Sequence, residues 1–572
     1  KLPQDVVEKI AAGEVVERPV SVVKELVENA IDSEATQIDI ILEKAGTQKI
    51  EVRDNGTGMN RDDLQLCVQA HATSKIQDAD DLFAINTLGF RGEALASICA
   101  VSKTTVITKQ SDEVAGLQLQ VNGGISEEII PTAATNGTTV RVEDLFYNVP
   151  ARQKFLKTQS TELQLIVALV TQLVLSHKEV GFTLKHNGST LIQSSATEIV
   201  NEKIKDIYGR TIANETLSVG YENEGISVVG KIVKPSQVRA DKRGMSFFVN
   251  GRFVKNNEFA KAVIDGYDTL LMIGKYPICV LHITIDPQVV DVNVHPRKDI
   301  IKIEDELAFL ETLRHAVSDA FAKATLIRDV ASNTVKISSS IQDELEQVKT
   351  VEPEELVASA VSNPKVFTNE SIQTSEKRVV ADLEPEKPTY VTQQHQHVLK
   401  ETAAVREDSE KQLSVRYIGL LQKTFALCED DAGLVMVDFH AAHERWNYEQ
   451  FMDQFYNKTI KTQTLLQPLL LEVSPDQRVL IEKHTDLLKS WGFDIDEFGE
   501  NEFVLRSIPI ILGRTIDTAY FFKLLVDIES ESKQNSLEVM QQKIITSMSC
   551  KASDRAGDDI SSERAKQLIG SH

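Results

Sequence analysis

Glu25 and Asn29 lie four residues apart in SVVKELVENAID, residues 21 to 32. A helix stacks such residues one above the other, so a carboxylate and an amide carbonyl would project side by side. That pair could hold a water and a hard metal ion; the plain alternative is a solvated polar face. Asp54 opens DNGTG, where a carboxylate can accept from an exocyclic amine and Gly56 and Gly58 let backbone approach a ligand closely. GFRGEALASI, residues 89 to 98, sets Gly89 and Gly92 before a helical pattern and could turn backbone amides toward a polyphosphate. HATSK, 71 to 75, adds Thr73 and Lys75, and Thr138 lies in NGTTV at the start of a strand pattern. Alone, each reads as an ordinary turn or loop. Far along the chain, Asp438 falls at a strand end, with His440 and Glu444 four apart at a helix start. These donors suit a Zn²⁺ or Mn²⁺ half-site, and equally a capped helix with a polar surface.

The elements that must position these residues follow from periodicity. Val22, Val23, Leu26, Val27, Ala30 and Ile31 make one apolar stripe of a helix, with Pro19 suited to its first turn. Residues 37 to 53 alternate as two strands around a turn at Ala45 and Gly46, and 160 to 176 carry a helical core pattern. From 225 to 300 strands alternate with one helical segment, including FFVNGRFVKN and PQVVDVNVHPRK. From 415 to 451 two strands flank an acidic turn at Glu429 to Gly433 and run into a helix from about Ala441.

Between these regions, residues 329 to 412 contain no glycine and only Phe367 and Tyr390 as aromatics. Such a stretch cannot bury enough apolar surface to offset ordering, and as a coil it spans roughly 50 Å. The chain's 572 residues allow about three or four domains. A net charge of -23 excludes a surface basic throughout, so any contact with nucleic acid must use a local patch. Arg239, Lys242, Arg243, Arg252 and Lys255 form one cationic stretch suited to phosphates. Five scattered cysteines fit reduced thiols, and no long apolar run or signal-peptide pattern points to a membrane or to export. The expected location is intracellular, cytoplasmic and nucleoid-associated if the source is prokaryotic.

Taken together and in order, KELVENAIDS, DNGTGM, HATSK, GFRGEALASI and NGTTV resemble the nucleotide-binding motifs of the GHKL ATPases, and their wording resembles the MutL mismatch-repair family in particular. The resemblance implies an α/β (α+β) chain: a GHKL ATPase sandwich at 1 to 205, a ribosomal-protein-like transducer at 206 to 328, a disordered linker at 329 to 412, and a dimerisation and endonuclease domain at 413 to 572 with an inserted subdomain at about 461 to 535. It implies Glu25 as the base that orients water on the γ-phosphate of ATP, Asn29 as the Mg²⁺ ligand, and Asp54 on the adenine amine with Thr138 nearby through water. Gly58, Thr73, Lys75 and Glu93 complete the pocket, Gly89, Phe90, Arg91 and Gly92 belong to a lid, and Lys298 of NVHPRK reaches the γ-phosphate from the second domain. Arg252 resembles a DNA-contacting position, with Lys242 and Arg243 beside it.

In the last domain, DFHAAHERWNYE matches the nuclease-competent branch at Asp438, His440, Ala441, Glu444 and Glu449, with Phe439 where Gln is usual. SCKASDRAGDDIS brings Cys550 toward the metal, so Asp438 and Glu444 would be catalytic and His440 and Cys550 further ligands. A third motif, Cys-Pro-His-Gly-Arg-Pro, is expected after it and does not occur before His572; with Lys1 in place of an initiator methionine, trimming at both ends is expected. Gln463, Leu466 and Pro468 in QTLLQP resemble a peptide that docks the replication sliding clamp, with a buried strand as the alternative. The resemblance implies a homodimer, a MutS-type mismatch-recognition partner and largely sequence-independent DNA binding. The competing class is an ATP-driven matchmaker scaffold without nuclease activity; a topoisomerase would need a catalytic tyrosine region that the C-terminal sequence does not offer.

Overall fold

The helix expected around Glu25 spans Pro19–Asp32 in a computed structural model that describes residues 13, 15–70, 72, 92–291, 301–324, 416–421, 424–430, 433–499, 501–512, 516–534 and 536–553. Pro19 occupies its first turn, where a missing N–H costs nothing. Val22, Val23, Leu26, Val27 and Ala30 are buried against the helix Gln159–Ser176 and the first sheet. Each such Val or Leu contributes roughly 1.5–3 kcal/mol by leaving water.

Among the described residues that first sheet has nine strands: β1 (Gln37–Glu43), β2 (Lys49–Asp54), β3 (Lys103–Lys109), β4 (Gly116–Asn122), β5 (Ile125–Ser126), β6 (Ile130–Thr132), β7 (Gly137–Glu143), β8 (Gly181–His186) and β9 (Ser189–Ser194). Their order is β5-β4-β3-β7-β2-β1-β8-β9, with β6 beside β4; β1 and β8 run parallel and the other pairs antiparallel. The alternation read in β1 buries Ile38, Ile40 and Leu42. Strand β7 lies between β3 and β2, and this places Thr138 beside the end of β2, 84 residues away in sequence from Asp54.

A second sheet has the order β10-β11-β16-β13-β14, from β10 (Thr216–Asn223), β11 (Ile226–Val233), β13 (Met245–Val249), β14 (Arg252–Val254) and β16 (Cys279–Thr284). The short β12 (Val238–Arg239) and β15 (Tyr276–Pro277) pair beside it. β13 and β14 turn through Asn250 and Gly251 at φ 48° and 80°, both left-handed, which is the two-residue hairpin geometry that Asn-Gly favours. The helices Asn257–Tyr267 and Glu306–Lys323 close this core through Phe259 and Phe309.

In the C-terminal region, Arg416–Leu421, Phe425–Asp430 and Gly433–Asp438 form an antiparallel sheet of three strands where the alternation suggested two. The difference is that one expected strand is two, with Thr424 N donating to Leu421 O between them. The next helix, Phe439–Tyr456, starts two residues before Ala441 because Asp438 caps it. A second antiparallel trio, Thr462–Glu472, Glu502–Pro509 and Asp494–Gly499, packs with the helices Pro475–Ser490, Thr518–Gln534 and Leu537–Ala552 around Trp491, Phe493 and Phe521. Helix Pro475–Ser490 also lies on Gln159–Ser176, and its Val479 is buried in the core of the first sheet. No helix among the described residues is long and apolar enough to cross a membrane. The tether read at 329 to 412 lies outside the described residues.

Candidate functional site

Glu25 and Asn29 both sit on Pro19–Asp32, Glu25 half-buried at the edge of the apolar stripe and Asn29 exposed one turn on. Glu28, which the motif reading passed over, lies between them with its ammonium partner Lys24 at 3.6 Å. Burial pushes its carboxyl up to about 7, with Lys24 opposing and Glu25 adding to the rise. The helix ends in a hydrogen-bonded junction with DNGTG. Ser33 N donates to Asn29 O, Thr57 N donates to Ser33 O, and the Asn55 carboxamide oxygen accepts from Thr36 N and Gln37 N at 2.9 Å each.

Among the described residues Asp54 is held by one oxygen. Its Oδ1 accepts from Gly56 N at 2.9 Å and Thr138 N at 3.1 Å, and among these bonds Oδ2 takes none. Burial raises its pKa while the two amides pull the other way. Gly137, at φ +109°, brings its Cα so near that an added Cβ would stand 2.1 Å from Asp54 O, and at Gly58, φ +69°, it would meet Lys109 O at 2.3 Å. These two positions need glycine for both conformation and space. Thr108 is the residue that sequence reasoning missed: fully buried, its hydroxyl accepts from Met59 N at 2.9 Å and lies 3.1 Å from the Thr138 hydroxyl. Only the alternation of β3 hinted that it points inward. Gly92, at φ +62°, packs on Ala72 O, so the segments carrying HATSK and GFRGEALASI meet at that point. Glu93 precedes the helix Ala94–Ala100. Thr73, Lys75, Gly89, Phe90, Arg91 and Lys298 lie outside the described residues.

The cationic stretch is divided by the fold. Arg239 is nearly buried and donates to Asp476 Oδ2 at 2.7 Å and Ser474 Oγ at 3.1 Å, both at the start of the helix Pro475–Ser490. Arg243 pairs with Asp241 at 2.7 Å and stands 3.6 Å from Asp476. Its charge is thus partly spent within the chain. Lys242 lies over the Tyr276 ring, and Arg252 is half-buried at the hairpin end opposite Val249.

At the C-terminal motif, Asp438 Oδ1 accepts from His440 N at 2.9 Å and Ala441 N at 3.2 Å, the work of a helix cap. Glu449 pairs with Arg445 one turn back at 2.5 Å. A long-range contact here joins Cys550 to Glu444, the thiol donating to the carboxylate. Desolvation and this carboxylate push the thiol up to about 11. Among the described residues no three His, Cys, Asp or Glu side chains converge to hold an ion.

Gln463, Leu466 and Pro468 lie in the strand Thr462–Glu472, and that strand is not buried there. Its pairing jumps from Thr464 opposite Ser507 to Leu469 opposite Leu505, so Leu465–Pro468 leave the ladder and Leu466 is fully exposed.

Residues 17–143 match the family described as histidine kinase-, DNA gyrase B-, and HSP90-like ATPase, 204–322 the DNA mismatch repair protein C-terminal domain, and 418–560 the MutL C-terminal dimerisation domain. The chain is 34% identical to the DNA mismatch repair protein MutL of Streptococcus pneumoniae strain JJA, over all of this chain and 92% of that protein. It is equally similar to the DNA mismatch repair protein HexB of S. pneumoniae strain TIGR4, with the same coverage. A solved structure of the Aquifex aeolicus MutL ATPase domain complexed with ADP is 25% identical, covering 55% of this chain and all of that one with a TM-score of 0.40.

Proposed function

Because this chain belongs to the MutL family of DNA mismatch repair proteins, with a histidine kinase-, gyrase B- and HSP90-like ATPase domain and a MutL dimerisation domain, we propose that it hydrolyses ATP at Glu25, Asn29 and Asp54. The observation that carries this is the junction of helix and loop. Asp54 is fixed through one oxygen by two backbone amides, which leaves the other for the exocyclic amine of adenine, and the same loop is bonded to the end of the helix bearing Glu25 and Asn29. Glu25 orients the attacking water, and the exposed carboxamide of Asn29 is the donor for Mg²⁺; the ion, when bound, neutralises phosphate charge. Gly58, Thr138, Thr73, Lys75 and Glu93 line the nucleotide in this reading, with Gly89, Phe90, Arg91 and Gly92 as the lid and Lys298 reaching the γ-phosphate from the second domain. The test is Glu25→Ala. ATP turnover falls by roughly 10²–10⁴-fold while ATP binding persists; hydrolysis at the unmodified rate overturns the assignment.

The remaining readings extend from the same chain. Two copies pair through the outer face of the C-terminal three-stranded sheet, where Ile418, Leu434 and Met436 are exposed. DNA phosphates meet Lys242 and Arg252, with Arg243 contributing what charge Asp241 leaves it. A sliding clamp takes Gln463, Leu466 and Pro468, and a MutS-type protein supplies the mismatch signal. The nicking activity would use Asp438, His440, Glu444 and Cys550 with Mn²⁺ or Zn²⁺; the contact of Cys550 with Glu444 supports it, and the capping role of Asp438 favours the scaffold reading instead. Supercoiled-plasmid nicking with Mn²⁺ separates the two, since a scaffold leaves the plasmid closed.

A further inference from the structure

Beside Cys550 lies a cavity of about 550 Å³ lined by Lys275, Asp517, Tyr520, Lys523, Ser547 and Lys551. Lys275 comes from the loop before β15, Lys523 from the helix Thr518–Gln534 and Lys551 from the helix Leu537–Ala552. Three ammonium groups face one lining carboxylate, and that carboxylate, Asp517, already accepts the Tyr520 amide at 2.7 Å. Asp527, which does not line the cavity, also interacts with Lys523, Lys275 and Tyr520. The cavity is therefore cationic.

A second observation is independent of this charge. Tyr520 is 8% exposed, its ring lies under the Lys551 ammonium at 5.3 Å, and its buried hydroxyl has no hydrogen-bond partner among the described residues. A buried hydroxyl without a partner costs roughly 1–3 kcal/mol, a penalty lifted by an acceptor entering the cavity. Anionic oxygens that accept and never donate satisfy the phenol and the lysines together. The cavity wall also holds Cys550, whose thiol reaches Glu444 of the C-terminal motif.

We infer that this cavity seats a phosphodiester of DNA, with the Tyr520 hydroxyl donating to a phosphate oxygen and Lys275, Lys523 and Lys551 neutralising the strand. The seat rests on the DNA-handling reading above and needs no metal. It also draws on two regions of the chain, Lys275 from the second sheet region and the other groups from residues 517 to 551.

The experiment uses the full chain, a fluorescent DNA duplex and EDTA, so that no nicking occurs and failure of the nuclease reading cannot be mistaken for failure of this one. Lys523→Glu with Lys551→Glu should weaken binding by about tenfold or more and lower the slope of log affinity against log salt by about 2, since each lost phosphate contact removes about 0.9. Lys523→Arg with Lys551→Arg should bind as the unmodified chain does. Tyr520→Phe removes only the oxygen: it should weaken DNA binding several-fold while leaving the melting temperature unchanged or higher. A Glu double variant with unmodified affinity and salt slope overturns the proposal, as does a Tyr520→Phe variant that keeps full DNA affinity. Inorganic phosphate that protects the chain from thermal unfolding without competing against DNA marks an ion site only and also overturns it.

Discussion

The N-terminal motif region and the C-terminal one were both recognisable as short strings, yet the fold treats them differently. Around Asp54 the motif side chains are fixed by partners far away in sequence: Thr138 from β7, Thr108 from β3, and Thr36 and Gln37 from the start of β1. Around Asp438 the bonds of the same kinds of groups mostly serve their own helix, through a cap and an i,i+4 pair, while bonds from Cys550 to Glu444 and from Asn447 to Ser553 reach across 106 residues. Residue types become a site when the sheet order imports their partners. When the partners are local, the same residues first serve the helix that carries them.

The largest effect expected from this contrast is at Glu51, fully buried and directly opposite Arg141 across β2 and β7. Burial opposes its charge, but hydrogen bonds from Arg141, Arg53 and Lys49 overcome that and hold it at about 2. A depressed carboxyl stabilises the fold above its unfolded pKa of 4.5, and the gain is lost as pH falls from 4.5 toward 2. Glu51→Gln should cost about 3 kcal/mol at pH 7 and flatten that acid limb in thermal melts. An unchanged melt at neutral pH would remove Glu51 from the long-range network.

Glu28 has the opposite sign. Its raised carboxyl favours the fold below 4.5, and that favour disappears as pH rises through about 7. Glu28→Gln should therefore gain on the order of 2 kcal/mol at pH 8 and nothing at pH 4. Melting curves at the two pH values check this, and equal shifts at both would argue for a packing effect instead.

The local network should yield less. Asp438→Ala removes a cap and should lower C-terminal stability by about 1 kcal/mol. Glu449→Ala should lower it by about 0.3–0.5 kcal/mol, the scale of an exposed pair one turn apart. Hydrogen exchange of the amides of His440 and Ala441 reads the first, and denaturant titration the second. If Glu449→Ala proved the costlier of the two, the division into local and imported contacts would fail.

This difference also sets what was legible in the sequence. The stripe of Pro19–Asp32, the alternation of β1 and the Asn250-Gly251 turn follow rules that act within a few residues, and each was readable. That Asp54 would be oriented by Thr138 depends on β7 lying between β3 and β2, and no local pattern states that order. The capping of Asp438 was readable as one of two alternatives, whereas the meeting of Arg239 with Asp476 joins segments with no motif in common. The division of the first of the two expected strands into Arg416–Leu421 and Phe425–Asp430 was missed because residues 421 to 424 contain neither glycine nor proline to announce it.

The excursion of Leu465–Pro468 has one more consequence. Its flanks are locked into the ladder, Gln463 opposite Ile508 on one side and Leu469 opposite Leu505 on the other. Freezing a residue's backbone costs roughly 1–2 kcal/mol of conformational entropy, and here folding has already met that cost for residues pinned at both ends. A free peptide of the same wording must surrender that freedom on binding. The strand therefore presents Leu466 in a preorganised form, and affinity measured on a synthetic QTLLQP peptide would understate that of the intact chain.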